Sequence, residues 1–167
     1  MGVFKSEAKS DLDGAASAWQ LPAVMLILAT LLLFGGDTAR EWLRFERDAI
    51  GHGELWRLVT GHLVHLGWSH FVLDAVGLIL VWYLVGDAFR RARWAIIALV
   101  SACAIDAGLW FVNPELQWYV VLSGVLHGIL AAGIIVRLQR PQMELLALGL
   151  LLVAKLGWEQ FYGPLPG

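Results

Sequence analysis

The chain has 167 residues, of which 59% are hydrophobic and 16% charged, with a formal net charge of −2 and a mean hydropathy of +0.68. An average soluble domain carries roughly 25% charged residues, so this composition describes an integral membrane protein. Its Lys and Arg residues are spread over loops, which excludes a basic face for nucleic acid, and a lone Cys103 excludes a disulfide framework or a thiolate metal site.

Residues 1–18, with Lys5, Glu7, Lys9, Asp11 and Asp13, read as a solvated cytoplasmic tail, and 19–167 as one membrane domain. A first apolar run from Trp19 or Gln20 to Gly36 is about long enough to span. Its flank is of mixed charge and Gly35-Gly36-Asp37 is a weak cleavage site, which favours a retained helix over a signal peptide. From Asp37 to Arg57 the chain carries four arginines, five acids, Trp42 and Trp56, the composition of a loop lying in the interface. Four more apolar spans follow, at about His62 to Gly86, Trp94 to Val112, Trp118 to Val136, and Met143 to Trp158. Proline forces the residue before it out of the helical region, so Asn113-Pro114 ends the third span. The expected fold is therefore an all-α polytopic bundle of about five transmembrane helices, with Trp residues near the span ends as an interfacial belt. Arg90, Arg91 and Arg93 follow the second span, and Arg137 and Arg140 the fourth, whereas the loop between the third and fourth has no Lys or Arg. The positive-inside rule then places the amino terminus in the cytoplasm.

The run Val121-Leu122-Ser123-Gly124-Val125-Leu126-His127-Gly128 sets a hydroxyl and an imidazole among apolar residues, where polar groups are costly and mark function. On the expected topology His65 and His70 begin the second span and Ser123 lies near the start of the fourth. Both spans descend from the outer face. At 1.5 Å per residue, His70 is roughly 30 Å from Arg90 and Ser123 roughly 20 Å from Arg137, so these groups collect in the outer half of the membrane. Other readings stand beside this one. Ser123-Gly124 with Gly128 forms a small-residue packing face, and His62 and His65, three apart, are candidate metal or haem ligands, although no second histidine pair or acidic set accompanies them. His127 shares the Ser123 face one turn deeper and reads as pocket lining more readily than as a base. His52 reads as solvated.

Taken in order, Trp56-Arg57-Leu58-Val59-Thr60, His65, His70-Phe71-Val72-Leu73-Asp74 and Leu122-Ser123-Gly124 resemble the rhomboid family of intramembrane serine proteases. Ser123-Gly124 followed by His127-Gly128, with Lys155 and Glu159-Gln160, is most similar to the rhombosortase branch. The resemblance implies a rhomboid bundle with Ser123 as nucleophile, an oxyanion site formed by His70, Gly124 and the Asp74 position, and Glu54, Trp56 and Arg57 bracing the first loop. His65 and His127 would line or support the pocket. It implies no metal or organic cofactor. The implied substrates are transmembrane proteins with a carboxyl-terminal sorting tail, cleaved in a bacterial inner membrane at a site toward the periplasm. The chemistry suits these residues: a serine hydroxyl needs a base to become nucleophilic, and the free amides of a helix start can stabilise an oxyanion. Three positions depart from the family. Asp74 stands where Asn is common, Val121 replaces the first glycine of Gly-x-Ser-Gly, and no histidine follows His127, although the family's base lies on a sixth helix. The expectation is thus a bundle without its sixth helix, either truncated or a form without that base. The rivals are an inert relative that binds transmembrane segments and, less favoured, a haem or metal-binding membrane protein.

Overall fold

A computed structural model describes residues 19–120, 122–138, 143, 147, 149–151 and 153–154. Helix α1 (Gln20–Phe34) turns by 117° into α2 (Gly36–Leu43). The loop layer follows, with strand β1 (Phe45–Glu46), α3 (Arg47–Gly51) and α4 (Arg57–Thr60). Helix α5 (Trp68–Val85) runs into a 3-10 turn (Gly86–Ala88), and α6 (Arg91–Phe111), β2 (Trp118–Tyr119) and α7 (Ser123–Arg137) complete the chain order. Among the described residues α5 with its turn, and α6, are long and apolar enough to cross a membrane; α1 with α2 makes a third if the bent pair is one span, and α7 is a shorter apolar helix. The architecture is a helical membrane bundle, as its composition requires. Of the expected fifth span, Met143, Ala147, Gly149 to Leu151, Val153 and Ala154 are helical. The rest of that span, residues 1–18, Val121, Lys155 and Glu159-Gln160 lie outside the described residues.

Two boundaries differ from the sequence reading. The second span starts at Trp68, not His62, so His62 and His65 sit in the turns between α4 and α5 and are not a pair on one helix face. Apolar character runs unbroken through residues 62–66 and hides this turn, which ends at a fully extended Gly67 (φ 170°, ψ −174°). The fourth helix starts at Ser123, not Trp118, because Trp118 and Tyr119 pair in antiparallel register with Glu46 and Phe45. That short ribbon ties the end of α6 to the loop layer.

Buried arginine holds the loop layer together. Arg57, 6% exposed, donates from Nε to Glu54 Oε2 at 2.6 Å and from Nη1 to the carbonyls of Glu41 (2.8 Å) and Arg44 (3.1 Å). Arg47 donates to the carbonyls of Trp110 (3.2 Å), Asn113 (3.0 Å) and Leu116 (3.2 Å), and also to that of Leu109. These carbonyls belong to the end of α6 and the turn after it, where helix acceptors are left over and a cation is favoured. Arg44 pairs with Glu46 at 2.7 Å and lies 5.1 Å over the Trp118 ring, and Arg40 pairs with Asp37 and donates to the Leu66 carbonyl. All four arginines of the loop are thus engaged, three of them reaching acceptors or a ring beyond residues 37–57 and Arg57 bonded within that stretch.

The core lies between α5, α6 and α7, where Leu78, Val85, Trp94, Leu122 and Ile129 are fully buried. Trp94 also donates its indole N–H to the Gly86 carbonyl at 2.8 Å, which satisfies the ring's polar edge. Helix α7 meets both neighbours through glycine. A Cβ at Gly128 would stand 2.7 Å from Ser101 Cβ, and one at Gly133 would stand 2.7 Å from Val85 Cγ1, so neither position has room for a side chain. At the opposite end from the loop layer, Arg137 pairs with Asp87 and Arg91 donates to Gln20.

Arg47→Ala should destabilise the bundle by roughly 2–3 kcal/mol, because several helix-end carbonyls lose a charged donor at once. Thermal unfolding in detergent measures this. Arg47→Lys should recover less than half of the loss, since an ammonium cannot reproduce the guanidinium fork.

Candidate active site

The glycine contacts fix the depth of Ser123. Gly77 of α5 faces Leu126, and Val85 faces Gly133, so α5 and α7 run in the same direction. Three residues precede Leu126 to reach Ser123, and three precede Gly77 to reach Asp74. The two are therefore level. On the other flank Gly128 faces Ser101 and Gly124 faces Ile105, so α6 runs antiparallel, and one further step sets Ser123 level with Asp106. His70, Asp74 and Gly77 follow an i, i+4, i+7 spacing and share the α5 face that meets α7.

Both acids at this level are buried, Asp74 at 6% and Asp106 at 9% exposure, and each is met by imidazole. Asp74 Oδ2 lies 3.2 Å from His65 Nε2 and 3.8 Å from His70 Nε2, with the two rings edge to face at 5.6 Å. Asp106 Oδ1 lies 3.2 Å from His62 Nε2. A carboxylate taken out of water is tolerated only when paired: Asp106 has its hydrogen bond from His62, whereas Asp74 Oδ2 and His65 Nε2 stand at ion-pair distance without a hydrogen bond. Tyr119, in β2 outside the spans, packs edge-on to His62 at 6.3 Å. Its hydroxyl lies 3.4 Å from the position a Cβ on Gly124 would take. Burial, then the negative charges of Asp74 and Asp106, push its phenol up from 10.0 to about 12, so at neutral pH it is a donor.

Helix α7 begins at Ser123 with no side-chain cap, and the first backbone bond across its start runs from the Leu126 N–H to the Leu122 carbonyl at 3.1 Å. The amides of Ser123 and Gly124 thus have no acceptor within the helix. His127 Nδ1 lies 2.6 Å from the Ser123 backbone carbonyl. A carbonyl only accepts, so Nδ1 carries a proton and donates, folding the ring back over the first turn.

The residues singled out from sequence fall into three groups. His65, His70 and Asp74 form one cluster on and just before α5; Ser123, Gly124 and His127 share the first turns of α7; and Glu54 and Arg57 pair in the loop layer. Trp56 is half exposed there, with its indole N–H 3.4 Å from the Trp42 carbonyl. The packing reading holds for both glycines, since a Cβ on Gly124 would stand 2.8 Å from Ile105 Cδ1. His52 is exposed and contacts the Asp48 carbonyl, in agreement with its solvated reading. Asp106 and Tyr119 were not singled out. The acid carries a readable signal, a carboxylate in the middle of an apolar run; the tyrosine, at a span end, carries none. Among the described residues no three His, Cys, Asp or Glu side chains are grouped to hold a metal ion.

Residues 52–165 match the Rhomboid domain family. The chain belongs to the rhomboid family. It is 26% identical over 147 residues to the rhomboid protease GlpG of Salmonella choleraesuis (strain SC-B67), and equally to those of Salmonella newport (strain SL254) and Salmonella typhimurium (strain LT2). Each match covers 84% of this chain and 52% of the relative, so this rhomboid chain spans about half the length of the curated relatives it matches.

The Tyr119 phenol gives a pH test. A proton held more tightly in the folded state contributes stability in full below the unfolded value near 10.0, and that contribution is lost as pH climbs through about 12. Alkaline unfolding followed by tryptophan fluorescence should therefore be shallower between those limits in Tyr119→Phe than in the parent.

Proposed function

We propose that this rhomboid chain carries the nucleophile and oxyanion site of an intramembrane serine protease, with Ser123 as nucleophile. The observation that carries this reading is the common depth of Ser123, at the first residue of α7, with the α5 face bearing His70 and Asp74. In the reaction the Ser123 oxygen attacks a peptide carbonyl carbon while a base takes the hydroxyl proton. The carbonyl oxygen becomes an oxyanion and the amides of Ser123 and Gly124, with the His70 imidazole, donate to it. The amine then leaves with the proton, and water releases the acyl group from Ser123 by the reverse sequence.

Asp74 suits an anchoring role better than a donating one. Its Oδ2 faces both His65 and His70, which turns it toward the imidazoles that it would hold in place. Glu54, Trp56 and Arg57 brace the loop layer above the site. The base is the sixth-helix histidine that the family resemblance implies, which residues 1–167 do not include. His127, one turn after Ser123 on the same helix, gives its Nδ1–H to the Ser123 carbonyl and is assigned to lining the pocket.

On the rhombosortase likeness, the substrates are transmembrane proteins with a carboxyl-terminal sorting tail. That tail comprises a Gly-Gly stretch, a transmembrane segment and basic residues. The setting is a bacterial inner membrane, with the amino terminus cytoplasmic and the site open toward the periplasm. A second reading, an inert relative that binds transmembrane segments, is favoured by Asp74 and Val121, which stand where the family resemblance implies Asn and Gly.

Expressed from the whole reading frame, the protein should react with a serine-directed fluorophosphonate. Ser123→Ala should abolish labelling and lower cleavage of a tailed substrate on the order of 10³-fold or more. No labelling, with substrate binding retained in Ser123→Ala, would support the inert relative instead.

A further inference from the structure

A cavity of about 520 Å³ lies against a different side of α7 from Ser123. Its walls include Leu21 and Met25 of α1, Ala98 and Ala102 of α6, Val125 of α7 and Leu122 just before it. At 3.6 residues per turn, Leu122 and Val125 project roughly 150° around α7 from Ser123 and His127, so the helix separates this cavity from the proposed protease site. Its volume falls within the range of ligand pockets, about 300–1,000 Å³.

Three features define what fits. The first is the opening: Leu55, Val59 and Leu99 line the cavity and are each more than half exposed, so in a bilayer its mouth meets acyl chains rather than water. The second is length. From Asp106 at one end to Ala95 at the other, α6 advances roughly 16 Å, about half of a ~30 Å hydrocarbon core and hence the reach of one leaflet's acyl chain. The third is the polar end, formed by His62 and Asp106. With Nε2–H donated to Asp106 at 3.2 Å, His62 Nδ1 is left as an acceptor, and among the described residues this buried nitrogen has no hydrogen-bond partner. A buried acceptor without a donor is unfavourable, and a ligand hydroxyl would satisfy it. The adjacent Asp106 carboxylate would repel an anionic head.

We propose that this cavity binds one acyl chain of a neutral membrane glycerolipid, with the lipid's hydroxyl donating to His62 beside Asp106 and the chain running along Ala102, Ala98 and Ala95 of α6. The assignment stands apart from the role given to Ser123, since the two sites do not share a side chain.

The test uses the full chain in nanodiscs with a photoreactive monoacylglycerol bearing a diazirine in its chain, read by peptide mass spectrometry. Labelling should concentrate on residues 95–106, and a monoacylglycerol of the same chain length should compete at least about tenfold better than the matching fatty-acid carboxylate. Ala98→Leu, which fills the trough, should cut labelling at least about tenfold with unfolding temperature unchanged; Ala102→Leu serves where Ala98→Leu does not fold. His62→Phe should remove the preference for the hydroxyl head. Labelling spread evenly over exposed helix faces, or unaffected by either filling variant, overturns the site, and equal competition by the carboxylate overturns the head-group assignment.

Discussion

The close approach of α5 and α6 to α7 is the constraint on which the rest depends. It exists because Gly133 and Gly128 present no side chain to Val85 and Ser101. In a bilayer, burying apolar surface gives helices little reason to associate, so packing between small residues does the work. Here that packing also sets register. With Gly77 against Leu126 and Gly124 against Ile105, the helices have no freedom to slide, and Ser123, Asp74 and Asp106 come to one depth as a by-product of how glycine is spaced along α7.

That depth is where the protein tolerates charge. Two carboxylates are held out of water, and each is met by histidine drawn partly from irregular backbone rather than from a spanning helix. His62 and His65 stand in the turns before α5, a position from which one reaches toward α6 and the other toward α5. Tyr119 lies under the influence of both acids. The loop layer is therefore more than a cover: Arg57 and Arg47 fix the backbone that carries these turns, and the β1–β2 ribbon delivers Tyr119 and the start of α7.

What the sequence disclosed, and what it hid, follows from the range of the interactions involved. The depth of Ser123 relative to His70 was legible because it needs only a constant helical rise and a count of residues to the basic loops. The start of the second span was not, since apolar residues continue through Leu63, Val64 and Leu66 while the turn is made by backbone bonds and by Thr60 Oγ1 reaching the Leu43 carbonyl, 17 residues away. The start of the fourth was hidden by a two-residue ribbon whose partner strand lies beyond both long helices α5 and α6. Arg47 read only as one of four arginines in an interfacial loop; its acceptors are 62 to 69 residues further on, where no local pattern points to them. Asp106 was visible as an acid in an apolar run, but its partner His62 could be found only once the turn was known.

The two ends of the bundle are fastened by different physics. Toward the loop layer Arg57 and Glu54 are largely enclosed although Arg40 meets an Asp37 that is 81% exposed, whereas at the other end Arg137 meets an Asp87 that is 80% exposed and Arg91 meets Gln20 in the open. Mobile counter-ions weaken only contacts they can reach. Raising ionic strength should therefore loosen the helix feet and the outlying Asp37 edge of the roof, while the part of the roof pinned by Arg57 stays closed, so its motion in the membrane resembles that of a hinge pivoting on one buried pin.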